Sequence, residues 1–343
     1  MKALVYHGPG KRSWEEKIKP VIINSTDAII KITKTTICGT DLHIMKGDVP
    51  EVIDGLILGH EGIGIIEEIG SGVSNFQVGN KVLISCITSC GRCSYCKKEM
   101  YSHCENGGWI LGHLIDGTHA EYVRIPHADT SLHHIPEGVN EEAIVMLSDI
   151  LPTGFECGVL NGKISPGDIV AIVGAGPIGL ATLLTAQFYS PAEIIMVDLD
   201  ENRLSVAKTF GATKLVSGNA FEEIMKFTNG KGVDVAIEAV GIAATFDVCQ
   251  SIIGAGGRIA NVGVHGKSVE LHLEKLWSKN ITITTRLVDT VTTPLLLKIV
   301  LSGKLKPEKL ITHRFELNEI MKAYDVFGNA VLKKSLKVIL TNK

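Results

Sequence analysis

The sequence predicts an α/β fold: a β-rich first part, then a doubly wound parallel sheet with helices between its strands. Three observations carry this expectation. Up to about residue 135 the chain shows short runs rich in β-branched residues, punctuated by Gly and Pro. From about residue 167 strands alternate with helices, the pattern of a parallel sheet. Where the first of those strands ends, a glycine-rich turn opens the next helix.

Taken in order, "DAIIKITKTTIC" (27–38), "GIGIIEEIG" (62–70), "KVLISC" (81–86) and "AEYVRIP" (120–126) read as strands. The stretch 140–160 reads as helix, with Asn140 as cap and Pro152 causing a break or kink. The alternating part begins with strand "DIVAIVGAG" and helix "PIGLATLLTAQFY", followed by strand "EIIMVD" and helix "ENRLSVAKTFGA". Strand "VDVAIEAV", a helix from about 243 and strand "GRIANVGV" continue it. A helix around 291–303 and a strand "KVILT" come last, and the chain shows no internal repeat.

The 343 residues suffice for two domains and a generous core. A net charge of −3 argues against a nucleic-acid partner, which favours a strongly basic face. The amino terminus lacks the apolar core and cleavage site of a signal peptide. No window offers about 18 apolar residues in a row, so no membrane partner is expected. Cysteines that look like metal ligands suit a reducing compartment, and a cytoplasmic location is expected.

Five of the eight cysteines fall in residues 86–104. Cys90, Cys93, Cys96 and Cys104 form C-x2-C-x2-C-x7-C, a spacing that lets four thiolates wrap one zinc ion. Disulfides fit poorly, since residues three apart rarely present their Cβ atoms for a bridge. Four cysteines leave no open position, so this zinc is structural. Cys86, in the apolar run "KVLISCI", reads as a small buried residue on a strand.

"VAIVGAGPIGL" holds Gly174-x-Gly176-x-x-Gly179 at a strand-to-helix junction, with Pro177 and Ile178 inside the motif. The glycines allow a tight turn, close approach to a pyrophosphate and close helix packing. The helix N-terminus offers free N–H groups to the anion. The next strand ends at Asp198, where a carboxylate can hold both ribose hydroxyls, and Arg203 on the following helix joins the cofactor set. Asp198 favours NAD over NADP, because a 2′-phosphate at ~4 Å in an effective dielectric of ~20 is repelled by roughly 4 kcal/mol. Nearby Asp200 reads as a helix cap.

"TICGTDLH" (36–43) and "LGHEGIG" (58–64) add Cys38, His43, His60 and Glu61, each of which alone has a bland reading as a buried or surface residue. Together with the four-cysteine lobe and "VGAGPIGL", these motifs resemble the zinc-dependent medium-chain alcohol dehydrogenase family over the whole chain, and its bacterial-type branch with Asp as third catalytic ligand. The resemblance implies a GroES-like catalytic domain at 1–152 and 287–343, carrying the structural zinc lobe 86–104, and a Rossmann NAD-binding domain at 153–286. It implies two zinc ions per chain, the second held by Cys38, His60 and Asp149, with one position open to an alcohol or carbonyl oxygen. Asp149 comes from "MLSDILPTGFE", which offers no cysteine at the matching place. By the same resemblance Glu61 is a carboxylate beside the metal, and Asp41 orients His60. Thr40 and His43 form a proton relay from alcohol through the nicotinamide ribose to water. Thr153, Val262 and Val264 contact the nicotinamide, and Lys337 is a pyrophosphate-binding cation.

The function implied is hydride transfer between NAD(H) and a small alcohol, aldehyde or ketone, by a chain whose relatives are usually tetramers and sometimes dimers. A polyol or amino-alcohol dehydrogenase is the nearest rival, and a redox-sensing or structural relative is the non-enzymatic one. A zinc-free reductase would leave Cys38, His60 and Asp149 without purpose. Trp109, in "GGWILGHLIDGT", either lines the substrate cleft or packs under the lobe. In the first case its indole wall would favour simple aliphatic or aromatic alcohols over polyols, whose extra hydroxyls would lose hydration.

Overall fold

A computed structural model describes all 343 residues, which divide into two compact units. One comprises Met1–Asp149 with Asp289–Lys343, the other Ile150–Val288. The joints thus fall at 149/150 and 288/289, against 152/153 and 286/287 read from the sequence.

The first unit is β-rich. Strands β1 (Lys2–Tyr6) and β2 (Arg12–Glu16) form an antiparallel pair. The larger sheet is built from β3 (Ala28–Thr36), β4 (Gly62–Ile69), β5 (Lys81–Ile84), β6 (Tyr122–Ile125), β7 (Leu132–His134), β14 (Ile311–Glu316) and β15 (Lys337–Thr341). Its order is β14-β15-β3-β4-β5-β7, with β6 on the end of β3. Ile30, Ile32, Ile66, Val82, Ile84, Val123 and Ile125 pool in one core cluster. Leu4, Tyr6, Ile37, Leu58, Tyr324, Val338 and Leu340 form another. Each side chain of this size taken out of water stabilises by roughly 1.5–3 kcal/mol, which fixes the strand ends that carry chemistry. β3 ends at Thr36 and feeds Cys38 into helix α1 (Gly39–Lys46); β4 begins directly after His60 and Glu61.

The second unit carries β8 (Ile169–Val173), β9 (Glu193–Val197), β10 (Lys214–Val216), β11 (Val233–Glu238), β12 (Ile253–Asn261) and β13 (Thr282–Thr285). All pair in parallel, in the order β10-β9-β8-β11-β12-β13. This is the Rossmann order, which reverses direction between β8 and β11. Helices α2 (Pro177–Ala186), α3 (Glu201–Thr209), α4 (Ala220–Phe227) and α5 (Ala243–Ile252) connect the strands. Ala171, Val173, Ile195, Val197, Ala236, Ile259, Phe246 and Cys249 share its core.

The stretch 140–160 departs from the expected Pro152 break. Asn140 caps as expected, its side chain accepting the Glu142 N–H at 3.1 Å. The helix stops at Val145, however, and Met146–Asp149 form turns. A new helical segment starts at Ile150 with Pro152 in its first turn, where the missing N–H has no helical partner to lose. Gly154–Leu160 then winds more widely, as a π-helix. Glycine is needed there: a Cβ on Gly154 would lie 2.7 Å from the Thr182 nitrogen, and one on Gly158 2.8 Å from the Thr182 side chain.

Candidate active site

The four lobe cysteines come together as their spacing suggests. Their Sγ atoms all lie within 4.8 Å of one another, and none is in a disulfide. Main-chain N–H groups point at the sulfurs: Cys90 N–H donates to Cys104 Sγ at 3.2 Å and Cys96 N–H to Cys93 Sγ at 3.4 Å. Burial works against ionising Cys90, but N–H donors from Arg92 and Cys93 outweigh it and bring its thiol to about 6. Burial, with Cys93 and Cys104 beside it, pushes Cys96 up to about 12. A closed set of four sulfurs, with N–H donors aimed at them, fits a structural zinc ion.

A second cluster joins Cys38, His60, Glu61 and Asp149, whose donor atoms also lie within 4.8 Å of one another. All four residues are buried. Asp149 Oδ2 lies 3.4 Å from Cys38 Sγ and 3.3 Å from His60 Nε2. Local sequence sets these positions. Cys38 is the N-cap of α1, and its N–H donates to Asp41 Oδ2 at 2.8 Å. Gly59 just before His60 has φ +94, and a Cβ there would clash with the His119 ring at 2.5 Å. Asp41 does reach the other side of His60, with Oδ1 at 3.6 Å from Nδ1, an ion-pair distance rather than a hydrogen bond.

The charges test whether a metal fits. Asp41, Glu61 and Asp149 bury three carboxylates around the Cys38 thiol, with Lys337 as the fixed cation among them. Two oxygens, Asp41 Oδ1 and Glu61 Oε1, accept no hydrogen bond. Burial would pull His60 down, but Asp41, Asp149 and Cys38 outweigh it and hold it well above its ordinary value. Burial and then Asp149 push the Cys38 thiol up. So much buried negative charge calls for a cation, and a set of sulfur, imidazole and carboxylate suits zinc.

Other expected residues fall as follows. Thr40 is half-buried, with Oγ1 3.8 Å from Cys38 Sγ. His43 lies on α1, partly exposed, its Nδ1 2.8 Å from Asp48 Oδ2. Trp109 stacks on His113 with ring centroids 4.1 Å apart. Cys86 is buried just past the end of β5, and its Sγ lies 3.7 Å from Asp149 Oδ1, a contact the linear sequence gave no sign of.

Lys337 comes from the far end of the chain. Expected as a pyrophosphate cation, it is buried at the start of β15, its Nζ donating to Glu61 Oε2 at 2.6 Å and to the Ile37 carbonyl at 3.2 Å. Burial opposes its charge, but Glu61 outweighs burial and keeps the ammonium protonated. Its charge offsets that of Glu61.

In the second unit the glycine-rich turn links β8 to α2. Gly174 has φ +109, and a Cβ on Gly179 would lie 1.8 Å from the Gly174 carbonyl oxygen, so the helix packs on the turn only without side chains there. Gly176 is the N-cap, with no side-chain cap, and Pro177 opens the helix. The first-turn N–H groups, including that of Ile178, have no side-chain cap and suit an anion. Asp198 closes β9: Oδ2 accepts the Ala175 N–H at 2.7 Å and Oδ1 the Asp200 N–H at 2.8 Å. Asp200 is the cap of α3, accepting the Asn202 N–H at 2.8 Å. Arg203 Nη1 lies 3.8 Å from where a Cβ on Gly176 would be. Thr153 ends the short helix from Ile150, and Val262 and Val264 follow β12. The arrangement suits a nicotinamide dinucleotide.

Comparison with known proteins agrees. Residues 24–137 match the alcohol dehydrogenase GroES-like domain family, and residues 177–300 the zinc-binding dehydrogenase family. An alcohol dehydrogenase of Cupriavidus necator is 34% identical, with 98% of each chain covered. The NADP-dependent isopropanol dehydrogenase of Thermoanaerobacter brockii is 33% identical, covering 94% of this chain and 95% of that one. The solved structure of zinc-dependent alcohol dehydrogenase 2 from Streptococcus pneumonia, an apo form, is 60% identical, with a TM-score of 0.96 over 100% of this chain and 99% of that one. With a buried sulfur–imidazole–carboxylate cluster, a four-cysteine lobe and a Rossmann sheet in one sequence, the chain belongs to the zinc-dependent medium-chain alcohol dehydrogenase family.

Proposed function

We propose that this zinc-dependent alcohol oxidoreductase works with NAD, carries two zinc ions per chain, and takes small apolar alcohols and their carbonyl partners. The convergence of Cys38, His60 and Asp149 on one buried point, amid more negative charge than Lys337 can offset, supports it most. Zinc bound there supplies Lewis acidity to an alcohol or carbonyl oxygen. Cys38 and Asp149 provide the two negative charges that match the ion, and His60 the neutral ligand. Glu61, tied to Lys337 and Thr36, is a spare carboxylate at the same point. Thr40 Oγ1 receives the proton of the substrate hydroxyl, and His43, paired with Asp48 and open to solvent, passes it to water.

Gly174–Gly179, with Pro177 and Ile178 in the helix start, take the pyrophosphate. Asp198 holds the adenosine ribose hydroxyls beside Arg203, while Thr153 and the backbone at Val262 and Val264 meet the nicotinamide. The lobe zinc at Cys90, Cys93, Cys96 and Cys104 is structural. The assembly is read as a homotetramer, in keeping with the family resemblance, and cysteines used as metal ligands support a cytoplasmic location. No helix is long and apolar enough to cross a membrane. A panel of primary, secondary and aromatic alcohols, sorbitol and threonine, each with NAD and with NADP, tests the reading. Higher kcat/KM for simple alcohols with NAD is expected; a clear preference for sorbitol or threonine would overturn the substrate class.

A further inference from the structure

Glu238 ends β11 at the carboxyl end of the parallel sheet, next to β8 and its glycine-rich turn. Here the strand order reverses, the place where doubly wound sheets take their ligands. Its side chain is fully buried. Oε1 accepts the N–H groups of Val240 and Gly241, both at 2.9 Å, and the Thr245 hydroxyl of α5 at 2.6 Å. Its main-chain carbonyl accepts the N–H of Val262 at 2.8 Å and of Gly263 at 3.1 Å. One residue thus ties together the turn after β11, the start of α5 and the segment after β12. The tie is close: a Cβ on Gly263 would lie 2.3 Å from Glu238 Oε2, and one on Gly241 2.3 Å from the Val264 carbonyl oxygen.

The second carboxylate oxygen, Oε2, accepts no hydrogen bond. His265 Nε2 lies 3.4 Å from it and 2.8 Å from Asn261 Oδ1, and His265 Nδ1 is buried without a partner. A carboxylate wholly out of water is costly unless charge or donors hold it, so His265 is drawn to this point and the backbone of 262–265 with it. The pyrophosphate turn is held by other bonds, Gly174 N–H to the Val197 carbonyl at 2.8 Å and Ala175 N–H to Asp198. We propose that Glu238 is a positioning residue for the nicotinamide end of the cofactor, fixing with His265 the main chain at 262–265 while leaving the pyrophosphate turn to its own supports. This rests on the reading of Val262 and Val264 as nicotinamide contacts.

The test compares NADH with ADP-ribose, which lacks the nicotinamide, by calorimetric Kd on the full chain. Glu238→Gln keeps an acceptor for Val240, Gly241 and Thr245 and removes the charge facing His265. His265→Ala removes the other partner and stands in should the first variant fold poorly. Each is expected to weaken NADH binding about tenfold, with ADP-ribose within about twofold of wild type. The double variant should lose no more than either single one, since both act through one contact. Equal losses for NADH and ADP-ribose, or unchanged NADH binding in both variants, would overturn the proposal. A wild-type chain that binds NADH no more tightly than ADP-ribose would instead overturn the reading of Val262 and Val264.

Discussion

Replacing Asp198 by Asn removes one charge from the end of β9 and little volume. The carboxylate is fixed by two main-chain donors, the N–H groups of Ala175 and Asp200. In the proposed cofactor site it would face an adenosine ribose without freedom to swing away from a 2′-phosphate. At ~4 Å and an effective dielectric of ~20, each pair of unit charges repels by about 4 kcal/mol. Asp198 is only half-buried, so water and salt reduce this to about 1.4–2.8 kcal/mol, roughly ten- to a hundredfold against NADP. Asp198→Asn should raise kcat/KM with NADP by about that factor, helped by Arg203 beside Gly176. It should lower kcat/KM with NAD, because an amide holds two ribose hydroxyls less well than a carboxylate. Asp198→Gly should cost NAD more, since it also releases both N–H groups. The assay is kcat/KM with one simple alcohol and each cofactor, with thermal midpoint as the folding control. Wild-type kcat/KM with NADP equal to or above that with NAD, or an unchanged ratio in Asp198→Asn, would refute the argument. The Thermoanaerobacter brockii relative is named as NADP-dependent.

Three further outcomes follow from the same geometry. Cys93→Ser should lower metal content to about one zinc per chain and lower the thermal midpoint, since a closed metal site contributes folding energy; elemental analysis beside calorimetry reads both. His43→Gln should slow alcohol oxidation near neutral pH, with partial recovery in concentrated imidazole buffer, and an unchanged pH–rate profile would remove His43 from the relay. Burial brings His133 down from 6.5 to about 4. Below 6.5 the unfolded chain takes up this proton and the folded chain does not, so stability falls as pH drops toward 4, by up to roughly 3 kcal/mol. His133→Gln should flatten that limb of the urea midpoint against pH.

Much of the site was legible because its residues announce themselves over short spans. The lobe cysteines span fifteen residues, and the glycine-rich turn must sit where a strand meets a helix. Cys38 and His60 stood in two compact motifs, whereas Asp149 came from the family resemblance alone. What was missed depends on distance in the chain. Lys337 meets Glu61 across 276 positions, and no local pattern signals that an ammonium at the start of β15 is buried against that carboxylate. Cys86 read as an ordinary buried residue on the apolar pattern of its run, and only the folded chain brings its sulfur to Asp149. Strands β10 and β13 escaped notice because three or four residues such as "KLV" and "TITT" take strand form only when a neighbour supplies the ladder. The break at 146–149 is expected at Pro152 since proline is the visible breaker, yet a proline in a helix's first turn breaks nothing. Glu238 and His265 carry no motif. Their role rests on which buried atoms remain without partners.

The central claim is that Cys38, His60 and Asp149 hold a zinc ion on which turnover depends, separate from the zinc of the lobe. The most direct measurement is zinc per chain against alcohol-oxidation rate, for wild type and His60→Ala purified side by side. Two zinc ions in an active wild type, with one retained and turnover abolished in His60→Ala, is the expected result. Full activity in a chain that carries a single zinc, held by the four lobe cysteines, would contradict it.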